Sequence, residues 1–497
     1  DVTFVAGALT VDPAPLTITA DDVTKTYGET VSFDGTEFTV AGLLNADTVD
    51  SVTLASDGAA ATADVAGSPY AIDASDPVGT GLGNYDVTFV AGSLTVEAAP
   101  LTITADDVAK TYGETVSFDG TEFTVAGLLN ADTVDSVTLA SDGAAATADV
   151  AGSPYAIDAS DPLGTGLGNY DVTFVAGALT VDPAPLTITA DDVTKTYGET
   201  VSFDGTEFTV AGLLNADTVD SVTLASDGAA ATADVAGSPY AIDASDPVGT
   251  GLGNYDVTFV AGALTVDPAP LTITADDATK TYGETVSFDG TEFTVAGLLN
   301  ADTVESVTLA SDGAAATADV AGSPYAIDAS DPLGTGLGNY DVTFVAGALT
   351  VEQAPLTITA DDVTKTYGET VTFDGTEFTV AGLLNADTVD SVTLASDGAA
   401  ATADVAGSPY AIEASDPLGT GLGNYDVTFV AGALTVEPAP LTITADDVTK
   451  TYGETVAFDG TEFTVAGLLN ADTVDSVTLA SDGAAATADV AGSPYAI

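Results

Sequence analysis

The chain has 497 residues, with 76 acidic side chains against six lysines and a formal net charge of −70. Such a surface repels nucleic-acid phosphates and anionic lipid, so no nucleic-acid partner and no direct membrane insertion are expected. Cysteine and histidine are absent, which removes disulfides, zinc sites and the usual nucleophile and base pairs, yet 45% of the residues are apolar and alternate along the chain, so it folds.

The phrase APLTITADD recurs with its proline at Pro15, Pro100, Pro185, Pro270, Pro355 and Pro440, a period of 85 residues. The expected modules are 14–98, 99–183, 184–268, 269–353, 354–438 and 439–497, and residues 1–13 read as the last strand of a preceding module. Within Leu16 to Pro100 there are thirteen acids and one base, Lys25.

In chain order, LTITA sets Leu16 and Ile18 on one face of a first strand. Asp34-Gly35 predicts a hairpin turn before Phe38 and Val40. Asn45 or Asp47 can cap at most one helical turn ahead of a strand carrying Val52 and Leu54, and Asp57-Gly58 predicts a second hairpin. Tyr70 and Ile72 resume the alternation, DASDPVGTGLGN reads as loop, and Tyr85, Val87, Phe89, Leu94 and Val96 form a last strand with a bulge at Ala91-Gly92. Tyr85, Phe89, Phe38 and Tyr70 are expected in the core; Phe33 is not assumed buried.

This pattern indicates an all-β fold, a tandem array of small β-sandwich modules of Ig-like type, with a β-grasp-like arrangement as the alternative. The stiff VDPAP link between modules predicts an extended rod, at about 3.3 Å per strand residue roughly 40 Å per module. No apolar run is long enough to span a membrane.

At LTITADDVTKTYGE, GLLNADTV, SPYAI and NYDVTFVAGALTV the module resembles the MBG domain of the YGX type, with Tyr27-Gly28 as the tyrosine-glycine pair. The resemblance implies tandem repeats in large bacterial surface and adhesin-like proteins, and it brings no catalytic or ligand-contact residue to carry over.

Among candidate sites, the glycine run GTGLGN precedes a strand rather than a helix and is not a phosphate loop. If the first and last strands run parallel, Asp21, Asp22 and Glu97 gather at one pole and face Asp158 and Asp161 across a junction, a candidate Ca²⁺ site of oxygen ligands. Lys25 and Asn84 are candidates for an isopeptide crosslink between first and last strands; the plainer reading is an exposed lysine paired with Glu29.

The expected function is non-enzymatic: a stalk or spacer of a secreted bacterial surface adhesin or fibril, extracellular at the cell surface. The alternatives are a self-assembling filament or biofilm-matrix protein and, third, a glycan-binding module. Expected partners are neighbouring modules and other copies of the chain. The last module stops at Ile497, the counterpart of Ile72, so Asp1 to Val11 is expected to act as a spare strand able to complete another copy.

Overall fold

A computed structural model describes residues 2–497. The chain divides into two compact units, one holding the residues up to Lys195 with Thr200–Ala230 and Gly237–Thr265, the other Thr196–Glu199, Ala231–Ala236 and Val266–Ile497. Both are all-β and built from the same β-sandwich module, and among the described residues the only helical turns are three-residue 3-10 turns.

The first module contains β1 (Ala14–Ala20), β2 (Val23–Thr26), β3 (Phe38–Ala41), β4 (Thr48–Ala55), β5 (Tyr70–Thr80), β6 (Tyr85–Val90) and β7 (Gly92–Glu97). They form a three-stranded sheet in the order β3-β1-β6 and a four-stranded sheet in the order β2-β7-β5-β4. The period-two pattern of LTITA places Leu16 and Ile18 fully inside, facing Ile72, Leu94 and Val96 from the other sheet. Each such side chain contributes about 1.5–3 kcal/mol by leaving water.

First and last strands do run parallel: β1 pairs with β6 (Leu16 opposite Val87) and β2 with β7 (Lys25 opposite Val96). Both strands cross from one sheet to the other at the same level, β1 to β2 at Asp21-Asp22 and β6 to β7 at Ala91. Gly92 is therefore a crossing point and not the expected bulge. A Cβ there would lie 2.6 Å from the carbonyl oxygens of Ala20 and Asp21, so only glycine lets the two strands pass.

Several local expectations differ. Asp34-Gly35 turns the chain, but the carboxylate of Glu37 collects the N–H groups of Asp34, Gly35 and Thr36, and β3 pairs with β1 instead of closing a hairpin. Asn45 and Ala46 are both left-handed, at φ 55° and 62°, which makes a tight turn and no helix. Asp57-Gly58 lies in a 3-10 turn capped by Ser56, inside the connection between β4 and β5. The stretch read as loop is largely β5, which runs to Thr80 and accommodates its proline because it pairs there with β4 alone, through shifted register, with Asp76 at φ 45°. Phe89, expected in the core, is 37% exposed on the outer strand of its sheet, while Phe33 packs against the core.

Residues 2–13, read as a last strand, are exposed and join no ladder. From 439 onward, Thr442–Ala445 pairs among the described residues only with Phe463–Ala466, and Leu441 and Ile443 stand 47% and 43% exposed. The last strand is the shared spine of both sheets: β7 is central in one and β6 flanks β1 in the other.

Candidate functional site at the module junction

Modules one and two are joined by a single residue, Ala98, between β7 and β8 (Ala99–Ala105). Around this link two short turns and a glycine-rich loop converge. In Lys25-Thr26-Tyr27-Gly28-Glu29, the Glu29 N–H bonds the Thr26 carbonyl and the Glu29 carboxylate accepts the Thr26 N–H. This turn requires positive φ at Gly28 (89°) and presents Tyr27 outward. A Cβ on Gly28 would come within 2.5 Å of Leu129 Cδ1 of the next module, so the glycine serves both the turn and the neighbour.

From the second module, the left-handed pair Asn130 and Ala131 projects the carboxylate of Asp132. A left-handed alanine is strained by about 1–3 kcal/mol, which the surrounding contacts must offset. Asp132 Oδ2 accepts from Tyr27 Oη of module one at 2.9 Å and from Tyr170 Oη of its own module at 2.7 Å. The two rings meet edge to face, with centroids 5.5 Å apart. Asn130 Nδ2 donates to the Ala61 carbonyl at 2.8 Å, which also accepts the Gly28 N–H.

The glycine run, in this copy Gly164 to Asn169, wraps Asp132: a Cβ on Gly166 would collide with its carboxylate. The run ends by delivering Asn169, which accepts the Val65 N–H through Oδ1 at 2.8 Å and donates through Nδ2 to Asp64 Oδ1 at 2.9 Å. The chain supplies its own control. Tyr27, packed on the next repeat, is 4% exposed, and its counterpart Tyr452, which makes no such contact among the described residues, 63%; Asn169, bonded to the preceding repeat, is buried, and its counterpart Asn84 is exposed.

The sequence-derived site residues lie elsewhere or do other work. Asp22 Oδ1 accepts the Ser93 N–H at 2.8 Å and so ties the strand crossing. Asp21 is exposed beside it, and Glu97 ends β7. Asp158 and Asp161 belong to the strand Tyr155–Thr165, where Asp158 stands opposite Ala140 and Asp161 takes the Ser160 hydroxyl. Among the described residues no three acidic side chains form a group able to hold a metal: Asp21 and Asp22 sit at the strand crossing, and Asp158 and Asp161 lie along a β-ladder.

Lys25 is buried, not exposed, since its place on β2 points inward. Its Nζ donates to the main-chain carbonyls of Glu29, at 3.0 Å, and Ala60, while the Glu29 carboxylate is held by the turn. The asparagine expected as its crosslink partner is turned, in Asn169, toward the preceding module. Sequence reasoning missed the junction residues as a site, although Tyr27-Gly28, Asn45 to Asp47 and Asn84-Tyr85 all stand in the motifs that carried the resemblance.

Burial raises the pKa of Tyr27, and burial together with the Asp132 hydrogen bond pushes Tyr170 up to about 12, as happens for Tyr255, Tyr340 and Tyr425. Burial lowers Lys25, against the opposing charge of Glu29. The tyrosine contribution to stability is complete below the ordinary tyrosine value of 10.0 and is lost as pH rises through about 12. The lysine contribution has the opposite sign and is complete once pH reaches its ordinary value of 10.5. The melting temperature should therefore fall steeply between those two upper values, together with late-rising phenolate absorbance. A melting temperature flat across that window would show that the junction phenols do not couple to folding.

The sequence model of the MBG domain (YGX type) matches residues 16–95, 101–180, 186–265, 271–350, 356–435 and 441–497. No curated protein matches the chain. Among solved structures, the I67–I69 fragment of the titin I-band is similar at 11% identity and TM-score 0.20, covering 52% of this chain and 100% of its own. Cadherin domains 3–6 of protocadherin gamma B2 are similar at 10% identity and TM-score 0.18, over 68% of this chain and 100% of theirs. Drosophila N-cadherin EC1–4 gives 8% identity and TM-score 0.14, over 85% and 99%. Family motifs that converge on one junction, repeated through both units, make this chain a member of the MBG domain (YGX type) family, of which it carries six tandem copies.

Proposed function

We propose that the chain is a structural stalk, a non-enzymatic spacer in a large secreted bacterial surface adhesin or fibril, which holds other domains away from the cell. The observation that carries this reading is the junction: a one-residue link, with a carboxylate of one module clamping tyrosines from two, leaves adjacent modules little freedom to pivot. Titratable nucleophiles and bases suited to neutral pH are missing from the composition, which supports a mechanical role over a catalytic one.

The rival reading, a self-assembling filament or matrix protein, must overcome lateral repulsion. The net charge is −70 and the lysines of the first five modules are buried, so their faces present negative charge without compensating ammonium groups. Electron microscopy and small-angle scattering of chains with increasing module number test the proposal. Single rods whose maximum dimension grows linearly with module number are expected. Ordered multi-chain filaments would favour the rival, and a dimension growing as the square root of module number would remove the spacer role.

A further inference from the structure

We propose that each junction tyrosine pair is an oxidative crosslinking site, at which a one-electron oxidant joins Tyr27 to Tyr170, and their counterparts, as dityrosine. Four such pairs stand edge to face with centroids 5.4–5.5 Å apart: Tyr27–Tyr170 and Tyr112–Tyr255 in the first unit, Tyr197–Tyr340 and Tyr282–Tyr425 in the second.

Two observations point the same way. The first is composition: with no cysteine, methionine, tryptophan or histidine, tyrosine is the most easily oxidised side chain in the chain, so oxidising equivalents that reach it settle there. The second is geometry. The hydroxyls of Tyr27 and Tyr170 converge on one oxygen, Asp132 Oδ2, at 2.9 and 2.7 Å. Oxidation of a phenol needs a proton acceptor at its hydroxyl, and one carboxylate serves both. In dityrosine the new bond lies ortho to both hydroxyls, which then flank it on one side, as they already do around Asp132. The remaining tyrosine of the module lacks this arrangement: Tyr70 donates to the main-chain carbonyl of Asp64.

The step balances without a cofactor in the chain. Each phenol gives one electron to the oxidant and its hydroxyl proton to solvent by way of the carboxylate. The two tyrosyl radicals join through ortho ring carbons, and the ring hydrogens there shift to the oxygens and restore the phenols. The net loss is two hydrogens per bond. Burial of the rings excludes bulky reagents but not electron transfer, and it keeps the radicals from partners other than each other. The product would lock neighbouring modules covalently in a chain that has no disulfide.

The test oxidises the full chain, at high dilution, with photogenerated ruthenium(III) tris-bipyridine and persulfate. Dityrosine fluorescence in chains of unchanged monomer size is expected, with two hydrogens lost per bond and peptides that join the TYGE segment to the NYDV segment. The chain with Tyr27, Tyr112, Tyr197, Tyr282 and Tyr367 replaced by phenylalanine should lose this crosslink while keeping its other tyrosines. Since that variant could fail to fold, the peptide map of the unaltered chain decides independently. Crosslinks spread over all tyrosines, concentrated at Tyr70 and its counterparts, or formed in equal yield in urea overturn the proposal.

Discussion

Replacing Asp132 and its counterparts Asp217, Asp302, Asp387 and Asp472 by alanine is expected to uncouple the modules, so that one cooperative melt becomes several overlapping ones. The first four changes each remove the shared acceptor of two tyrosines, one from each side of a junction, and the change at Asp472 removes the acceptor of Tyr367 alone. A hydrogen bond to a charged group is worth about 1.5–3 kcal/mol. Tyr170 retains the Leu129 carbonyl as a second acceptor, so about 3 kcal/mol per junction is the expected loss. In a linear array stability is the sum of module terms and neighbour terms, and the neighbour term sets the cooperativity. Calorimetry checks this by comparing calorimetric with van't Hoff enthalpy. The asparagine variants, which keep an acceptor oxygen, should lose less, and an unchanged ratio in the alanine variants would mean that the link alone couples the modules.

Gly177→Val should unfold the second module alone. The position is the strand crossing of that module, and a Cβ would stand 2.5 Å from the Asp106 carbonyl oxygen and 2.7 Å from that of Ala105. Both are main-chain atoms at the strand crossing and cannot step aside as a side chain would. The expected cost is about 3 kcal/mol or more, at the upper end of what overpacking gives. Circular dichroism should show one module's share of the amplitude melting early, with the remainder melting below its original temperature because the modules on either side each lose a junction. A single unshifted transition would mean that the strands separate at the crossing without loss of the sandwich.

How far the sequence reveals this structure depends on whether a feature is local. The alternation in LTITA and in the last strand exposes the core directly, because period two sends Leu16, Ile18, Leu94 and Val96 to one side wherever the strands pair. The crossing at Gly92 was visible as a glycine, but its meaning lay in Asp22, whose carboxylate holds the N–H of Ser93, 71 residues further along the chain. β5 was hidden by Pro77 and Gly79, residues that read as loop but are compatible with a strand half paired on one side only. The junction was the least legible part. Tyr27 and Asp132 are 105 residues apart, a distance that is neither the repeat nor any local period. In a chain of near-identical copies, Asp47 and Asp132 look equally good as partners, and only the packing of one module on the next distinguishes them.

The inward-facing lysine of each of the first five modules has a bearing on proteolysis. Lys25, Lys110, Lys195, Lys280 and Lys365 are 4–5% exposed on paired strands, and arginine is absent altogether. Proteases of trypsin specificity must draw several residues around a basic side chain into an open, extended conformation before they can cut, and a folded module offers them no such segment. Digestion at these sites has to wait for a module to unfold, so the rate of cleavage becomes a measure of how often each module opens.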